Sequence, residues 1–409
     1  MTTEKKTSPG EFSTPSDAMT QNMARVEALV QRVLTVMGQN TPTRPALQGP
    51  GAELFTKAAA AYMNTAVTNP SQMFEQQLSF WGASVQNFIE LQTNLCGNAA
   101  NSKELPKDPR FANPLWESHP YFKAVRQQYL VNAEAMRDAV TSSELDAKDH
   151  SRLEYFTQQI IDMASPTNFL GTNPDALSRA VETEGESLVK GLENLVRDLE
   201  ANGGEMLVTL ADQDAFTVGE DLATTPGKVV FRNRMFELIQ YTPTTEKVAK
   251  TPLIIFPPWI NKFYILDLKP KNSFVKWAVD QGQTVFVVSW VNPDETYADV
   301  TLDDYIEEGF LTAIEQVKTI CDVPQVNAIG YCIAGTTLSI TLGLMAQRGD
   351  TSVASATFFT TMTDFSDPGE VGVYLDNDFL GGIEAEVSDN GIMSKMFMSR
   401  TFSYLRAND

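Results

Sequence analysis

The chain has 409 residues, of which 43% are hydrophobic and 20% charged, with a formal net charge of −21. That length accommodates two domains or one large core with an appendage, and the composition is that of a soluble globular protein. The acidic balance argues against nucleic-acid binding, which needs clustered Lys and Arg to neutralise phosphates, and against binding an anionic bilayer through overall charge.

The N-terminal stretch MTTEKKTSPGEFSTPSDAMT has no apolar core and reads as no signal peptide. Residues 1–17, rich in Thr, Ser, Pro and Lys, are expected to be disordered. Met19, Met23, Val26, Leu29, Val30, Val33, Leu34 and Met37 then recur at helical spacing, with Gly38 at the C-cap position. QNTPTRPALQGPG (39–51) reads as a linker, so residues 1–51 form a tail, an amphipathic helix and a linker. That helix packs on its own protein or binds a partner or an apolar surface. Residues 52–202 read as a helical domain, with one apolar stripe at Met73, Leu78, Trp81, Val85, Phe88 and Ile89. A second stripe runs through Leu188, Leu192, Leu195 and Leu199. No window approaches the ~18 apolar residues of a membrane span.

The texture changes in the last part, residues 203–409. VVF (229–231), FELIQY (236–241), PLIIF (252–256), TVFVVSW (284–290), VNAIGY (326–331) and SATFFT (355–360) are strand candidates. Helical segments separate the later ones: 273–281, TLDDYIEEGFLTAIEQVKTI (301–320) and the run after Cys332. Alternating, largely apolar strands and helices predict an α/β fold with a mostly parallel sheet.

The chemistry concentrates at GYCIAGT (330–336). A nucleophile elbow is a sharp strand-to-helix turn that needs small residues around the nucleophile, because the backbones nearly touch. Gly330, two residues before Cys332, and Ala334, two after it and in place of the usual last Gly, fill those positions, Gly335 follows, and Cys332 itself stands in place of the usual Ser. A helix N-terminus there favours a thiolate and leaves the N–H of Ile333 ready for an oxyanion. The second donor is expected from the loop FPPWINK (256–262). Pro257 and Pro258 have no N–H, so Trp259 or Ile260 is the candidate.

Other positions suit blander roles. Asp303 and Asp304 begin a helix, where carboxylates favour the dipole. Asp364 follows a strand end and reads as a turn or cap residue that could line the site. Cys321 closes an apolar helix and reads as buried. Cys96, Cys321 and Cys332 show neither metal-ligand spacing nor a disulfide framework and read as reduced cytosolic thiols. Lys262, Lys269 and Lys271 form a basic cluster near the oxyanion loop, either a solvated face or a contact for phosphates.

Five stretches together resemble the poly(3-hydroxyalkanoate) synthases, particularly their short-chain, single-subunit class. They are DPRFANPLWESHPYF (108–122), SPTNFLGTNPDA (165–176), FPPWINKFYILDLKPKNSFVKWAVDQGQTVFVVSWVNPD (256–294), GYCIAGT (330–336) and TFSYLRAND (401–409). The resemblance implies an α/β-hydrolase catalytic domain behind a helical N-terminal domain, with a Cys–His–Asp triad and no metal or cofactor. It implies (R)-3-hydroxyacyl-CoA as substrate, a growing polyester chain, and a cytoplasmic homodimer on the granule surface.

Triads of this fold run nucleophile, acid, then His along the chain. The two histidines, His119 and His150, both precede Cys332 and sit in the helical region, where packing, capping or solvation suits them better. Family members continue past the residues matching TFSYLRAND, and their acid and His lie there. The catalytic Asp and His are therefore expected outside this chain, which would stop within the cap over the site. GIMSKMFMSRTFSYLRAND (391–409), with Met393, Met396, Phe397 and Met398, fits a mobile apolar cap segment. Without its last strands the sheet should expose an apolar edge. Two other readings stay open: a thioesterase or polyester depolymerase of the same fold, and a non-catalytic granule-surface protein.

Overall fold

A computed structural model describes residues 17–39, 108–204, 208–374 apart from 210, 211, 213 and 261, then 377–393 and 398, with residues 60, 79, 80, 82–85 and 89 between the first two. These fall into two compact units, one within Met1–Leu210 and Val373–Phe379, the other within Ala211–Gly372 and Leu380–Met398. The expected disordered tail, the linker and most of the 73–89 stripe lie outside the described residues. So do Met396 and Phe397 of the apolar tail.

The first unit is helical, as the periodicity predicts. α1 (Asp17–Gln39) continues through Gly38, which is therefore not a C-cap. A 3-10 turn (Pro109–Phe111) and a helical turn (Leu115–Ser118) lead into α2 (Pro120–Thr141) and α3 (Ala147–Met163). α4 (Pro174–Glu182) and α5 (Glu186–Ala201) follow. The starts are written in the sequence: Asp146 accepts the N–H groups of Lys148 and Asp149, and Asn173 those of Asp175 and Ala176. Trp116 is fully buried, with Phe111 edge-on at 4.9 Å and Phe122 at 5.8 Å.

The amphipathic helix packs on its own chain. Val26, Leu29 and Val33 of α1 meet Val189, Leu192 and Val196 of α5. Arg25 bridges Glu186 and Glu193, and Arg32 pairs with Glu200, along the rim. The predicted leucine stripe lies partly on the buried face: Leu199 is buried and Leu192 packs in the cluster with α1, while Leu188 is exposed and the neighbouring Val189 and Val196 are buried as well. Spacing alone does not say which of two adjacent apolar columns meets a partner. His119 is an exposed N-cap whose side chain caps nothing; its ring lies 5.0 Å from Phe122. His150 is half-buried on α3.

Arg110 ties the start of this unit together, donating to Asp108 at 2.8 Å, Asp162 at 3.0 Å and the Tyr129 hydroxyl at 3.2 Å. Burial pushes the Asp108 carboxyl up, but hydrogen bonds from the Arg110 side chain and backbone outweigh it and hold the group below its ordinary value. A lowered folded-state pKa stabilises above the unfolded value of about 3.9 and is lost as pH falls through the folded value. Asp108→Asn should therefore unfold at lower denaturant than the parent at pH ~7, and the gap should close as pH drops below ~4. A gap independent of pH would sink this account of the pair.

The second unit carries a six-stranded sheet. In chain order the strands are β1 (Gly227–Arg232), β2 (Phe236–Tyr241), β3 (Leu253–Phe256), then the small hairpin β4 (Asp267–Lys269) and β5 (Asn272–Ser273). β6 (Val285–Trp290), β7 (Val326–Tyr331) and β8 (Val353–Phe359) complete them. The order across the sheet is β1-β2-β6-β3-β7-β8, with β1, β2 and β6 antiparallel neighbours and β6, β3, β7 and β8 parallel. Three helices connect the parallel strands: α6 (Phe274–Asp280), α7 (Thr312–Cys321) and α8 (Ile333–Arg348). A last helix, α9, spans Asn377–Asn390.

The strands are apolar on both faces because both are covered. Ile254, Phe256, Phe286, Val288 and Ala328 enter one core with Phe310, Ile314 and Val317; Ile255, Val285, Val287 and Ile329 enter the other with Val275 and Val279. β8 is outermost among the described strands, and Phe358 on it is 43% exposed.

Two features depart from the predicted elements. The expected continuous helix over 301–320 opens with a Thr301–Asp304 capping box, then widens into a π-helix at Tyr305–Leu311 before α7. Gly309 lies within the wide turn: a Cβ there would stand 2.9 Å from Trp290 Cζ3, so the indole lies directly on the backbone. The β4–β5 hairpin was not read from the sequence. Its buried Asp267 accepts from the N–H and hydroxyl of Thr225.

Candidate active site

β7 is flanked by β3 and β8, so Gly330, near its end, pairs with Phe256 on one side and Phe358 on the other. Cys332 follows as an exposed free thiol at φ +54° and ψ −125°, at the N-cap of α8. That region is favourable only to glycine and costs a Cys about 1–3 kcal/mol, so surrounding bonds must hold it. The Cys332 N–H donates to the Phe359 carbonyl at 2.9 Å, and its own carbonyl accepts from Gly335 at 2.9 Å and Thr336 at 3.2 Å.

The expected close approach is present, but between Gly330 and Gly335. A Cβ on Gly330 would lie 2.6 Å from Gly335 Cα, and one on Gly335 would lie 2.0 Å from Thr361 Oγ1. Ala334 is fully buried, and its methyl is accommodated. Where the sequence reading set Ala334 in the place of the last elbow glycine, Gly335 meets that steric demand.

Ile333 opens α8, and its N–H has no acceptor among the described residues. The loop after β3 is anchored from below and beside. The Trp290 indole N–H donates to the Pro257 carbonyl at 2.8 Å, and the Trp259 indole N–H donates to Thr337 Oγ1 at 3.3 Å. Tyr305 of the π-helix lies 5.1 Å from the Trp259 ring and 5.5 Å from Trp290. Ile260, on the same loop, is 37% exposed.

On the opposite side the segment after β8 closes against the elbow: Thr336 donates its hydroxyl to the Met362 carbonyl at 2.6 Å. Asp364 is exposed and accepts the Ser366 N–H, an Asx turn. Asp304 accepts from Thr301 and pairs with Arg234, while Asp303 is exposed. Cys321 is half-buried rather than buried, and burial pushes its thiol up. Lys262 donates to Asn292, and Lys269 and Lys271 are exposed. Sequence reading missed Trp290, Gly309, Thr337 and Thr361. A Gly inside an otherwise helical run, as in EEGFL, was the one available signal.

An exposed, strained residue between a parallel strand and a helix, beside an Ile333 N–H that is free among the described residues, is the geometry of a nucleophile elbow in an α/β-hydrolase-type fold. The comparisons narrow that class. Residues 107–278 match the family model described as the poly-beta-hydroxybutyrate polymerase N-terminus. The chain is 38% identical over 382 residues to a poly(3-hydroxyalkanoate) polymerase of Methylorubrum extorquens, covering 90% of this chain and 63% of that protein. Poly(3-hydroxyalkanoate) polymerase subunits of Rhizobium meliloti and Cupriavidus necator are each 40% identical, over 81% and 83% of this chain and 57% of each relative. The chain belongs to the poly(3-hydroxyalkanoate) polymerase family, and it spans less than two thirds of the length of these relatives.

Proposed function

We propose that the whole protein polymerises (R)-3-hydroxyacyl-CoA into polyester, and that this chain supplies its nucleophile, Cys332. The Sγ atom attacks the thioester carbonyl, the bond to CoA sulfur breaks, and CoA leaves as its thiol. The 3-hydroxyl of a second unit or of the chain end then attacks the acyl-cysteine, forming an ester and restoring the thiol. Exchange of thioester for thioester makes the first step nearly isoenergetic. Both steps need a general base, and no His follows Cys332 in these residues.

The single observation that carries this reading is Cys332 at φ +54°, exposed at the head of α8 with its own N–H tied to Phe359. The Ile333 N–H and that of Trp259 or Ile260 are the proposed oxyanion donors. In this reading residues 203–409 carry the chemistry and residues 52–202 form an accessory helical domain. The protein works in the cytoplasm, as a homodimer on granules of its own polyester.

The test is incubation of the 409-residue chain with (R)-3-hydroxybutyryl-CoA, reading free CoA, the mass of the Cys332 peptide and the products. The expected result is at most one CoA released per chain and a mass increase on Cys332, without polymer. Sustained release of free hydroxy acid would replace the polymerase by a thioesterase. An unmodified Cys332 with no CoA released would leave a non-catalytic protein.

A further inference from the structure

Thr337 is 1% exposed and sits one turn into α8, behind the elbow. Its hydroxyl donates to the Ile333 carbonyl at 3.0 Å and accepts the Trp259 indole N–H at 3.3 Å. Ile333 and Trp259 are the residues on which the two candidate oxyanion donors stand. We propose that Thr337 is a positioning residue for acyl transfer, a one-atom strut that holds the Trp259–Ile260 loop in register with the Ile333 N–H. The proposal rests on Cys332 being the nucleophile.

Packing alone does not call for a hydroxyl here. A buried Thr that bonds back to the carbonyl four residues earlier slightly destabilises or bends a helix, and Val fills the same volume. The helix contains its own control. Thr341 is fully buried and donates to the Thr337 carbonyl at 2.8 Å, and among the described residues it reaches nothing outside α8. Thr337 alone of the two adds a bond across to the loop. The loop is also held at its entry, where Trp290 donates to the Pro257 carbonyl, and by Tyr305 packed on the Trp259 ring at 5.1 Å; among the described residues the hydrogen bond that fixes the Trp259 side chain is the one to Thr337. An oxyanion donor misplaced by a fraction of an ångström loses most of its effect, since stabilisation depends on donors about 2.7–3.1 Å from where the oxyanion forms.

Two reactions of the same thiol separate this role from a structural one. Acylation by a nitrophenyl thioester of 3-hydroxybutyrate passes through a tetrahedral oxyanion. The Sγ–carbonyl bond forms, the bond between the carbonyl carbon and the thioester sulfur breaks, the aryl thiolate leaves, and the Cys332 proton goes to solvent. Exchange with an aryl disulfide breaks a sulfur–sulfur bond and forms no oxyanion. Both rates are measured on the 409-residue chain at alkaline pH, with adducts located by peptide mass. Thr337→Val should slow acylation at least about tenfold and leave disulfide exchange within about twofold of the parent, because loss of one oxyanion donor typically costs 10²–10³. Thr337→Ser should restore acylation, and Thr341→Val should leave both rates within about twofold, as a hydroxyl bonding only inside its own helix predicts. Acylation of Thr337→Val at the parent rate, a parallel loss of both reactions, or an equal loss in Thr341→Val would overturn the strut. If the parent itself exchanges disulfide at Cys332 but is never acylated there, the nucleophile reading falls first, and the strut with it.

Discussion

Cys332→Ala is expected to abolish covalent capture of an acyl thioester, a loss of about 10³-fold or more, to the background of the uncatalysed reaction. The fold should be indifferent, because Ala and Cys pay the same penalty at φ +54°. Cys332→Gly should lose the same activity while gaining about 1 kcal/mol in stability, since glycine alone occupies that region without a clashing Cβ. Opposite signs for activity and stability at one position are the mark of strain kept for function. Cys321 provides the contrast within the same unit. It packs against the apolar core, and burial disfavours its thiolate, so its replacement should leave acyl capture untouched. Denaturant midpoints together with the mass of the acylated peptide decide the matter. A Cys332→Gly chain less stable than the parent would show that the elbow is not strained.

The parts of this site that were legible in the sequence are those fixed by local rules. Six strands and the helix after Cys332 followed from runs of branched residues and from small residues at a sharp turn. VNAIGY and FELIQY matched β7 and β2 residue for residue. The elbow was readable because close backbone approach forbids side chains, and that leaves a trace in residue type. The illegible parts depend on which distant residues meet. Nothing in WVNPD says that Trp290 will hold the Pro257 carbonyl, and nothing in GTTLS distinguishes Thr337, which reaches Trp259, from Thr336, which reaches Met362. The π-helix had only Gly309 as its trace, and the indole that lies on that glycine comes from Trp290 of β6. The leucine stripe of α5 held at Leu192 and Leu199 but did not include Val189 and Val196, for the same reason: which adjacent apolar column is also buried is chosen by α1.

Gly330→Ala and Gly335→Ala should both damage the elbow, but only the second should be repairable. A methyl on Gly335 would stand 2.0 Å from Thr361 Oγ1 and 2.9 Å from its Cβ and Cγ2, all side-chain atoms. Thr361 donates its hydroxyl to the Phe359 carbonyl at 3.1 Å, the same oxygen that accepts the Cys332 N–H. Displacing Thr361 therefore disturbs the brace of the nucleophile as well as the packing. Ala is the better helix former by about 1 kcal/mol, so the clash must exceed that gain for the variant to be destabilised at all. A net loss of about 1–3 kcal/mol is expected, in the range of overpacked cores. Thr361→Ala removes Oγ1 and Cγ2, so in the double variant it should recover more than half of that loss, as a double-mutant cycle would report. A methyl on Gly330 meets backbone instead, 2.6 Å from Gly335 Cα and 3.0 Å from its N, where no rotamer can yield. Gly330→Ala should cost at least as much, about 1–3 kcal/mol or more, and Thr361→Ala should restore none of it. Unfolding midpoints of the three single and two double variants, with acyl capture at Cys332 alongside, test the pair. Equal rescue of both glycine variants by Thr361→Ala would mean that the strand and the helix do not touch through Gly330 and Gly335.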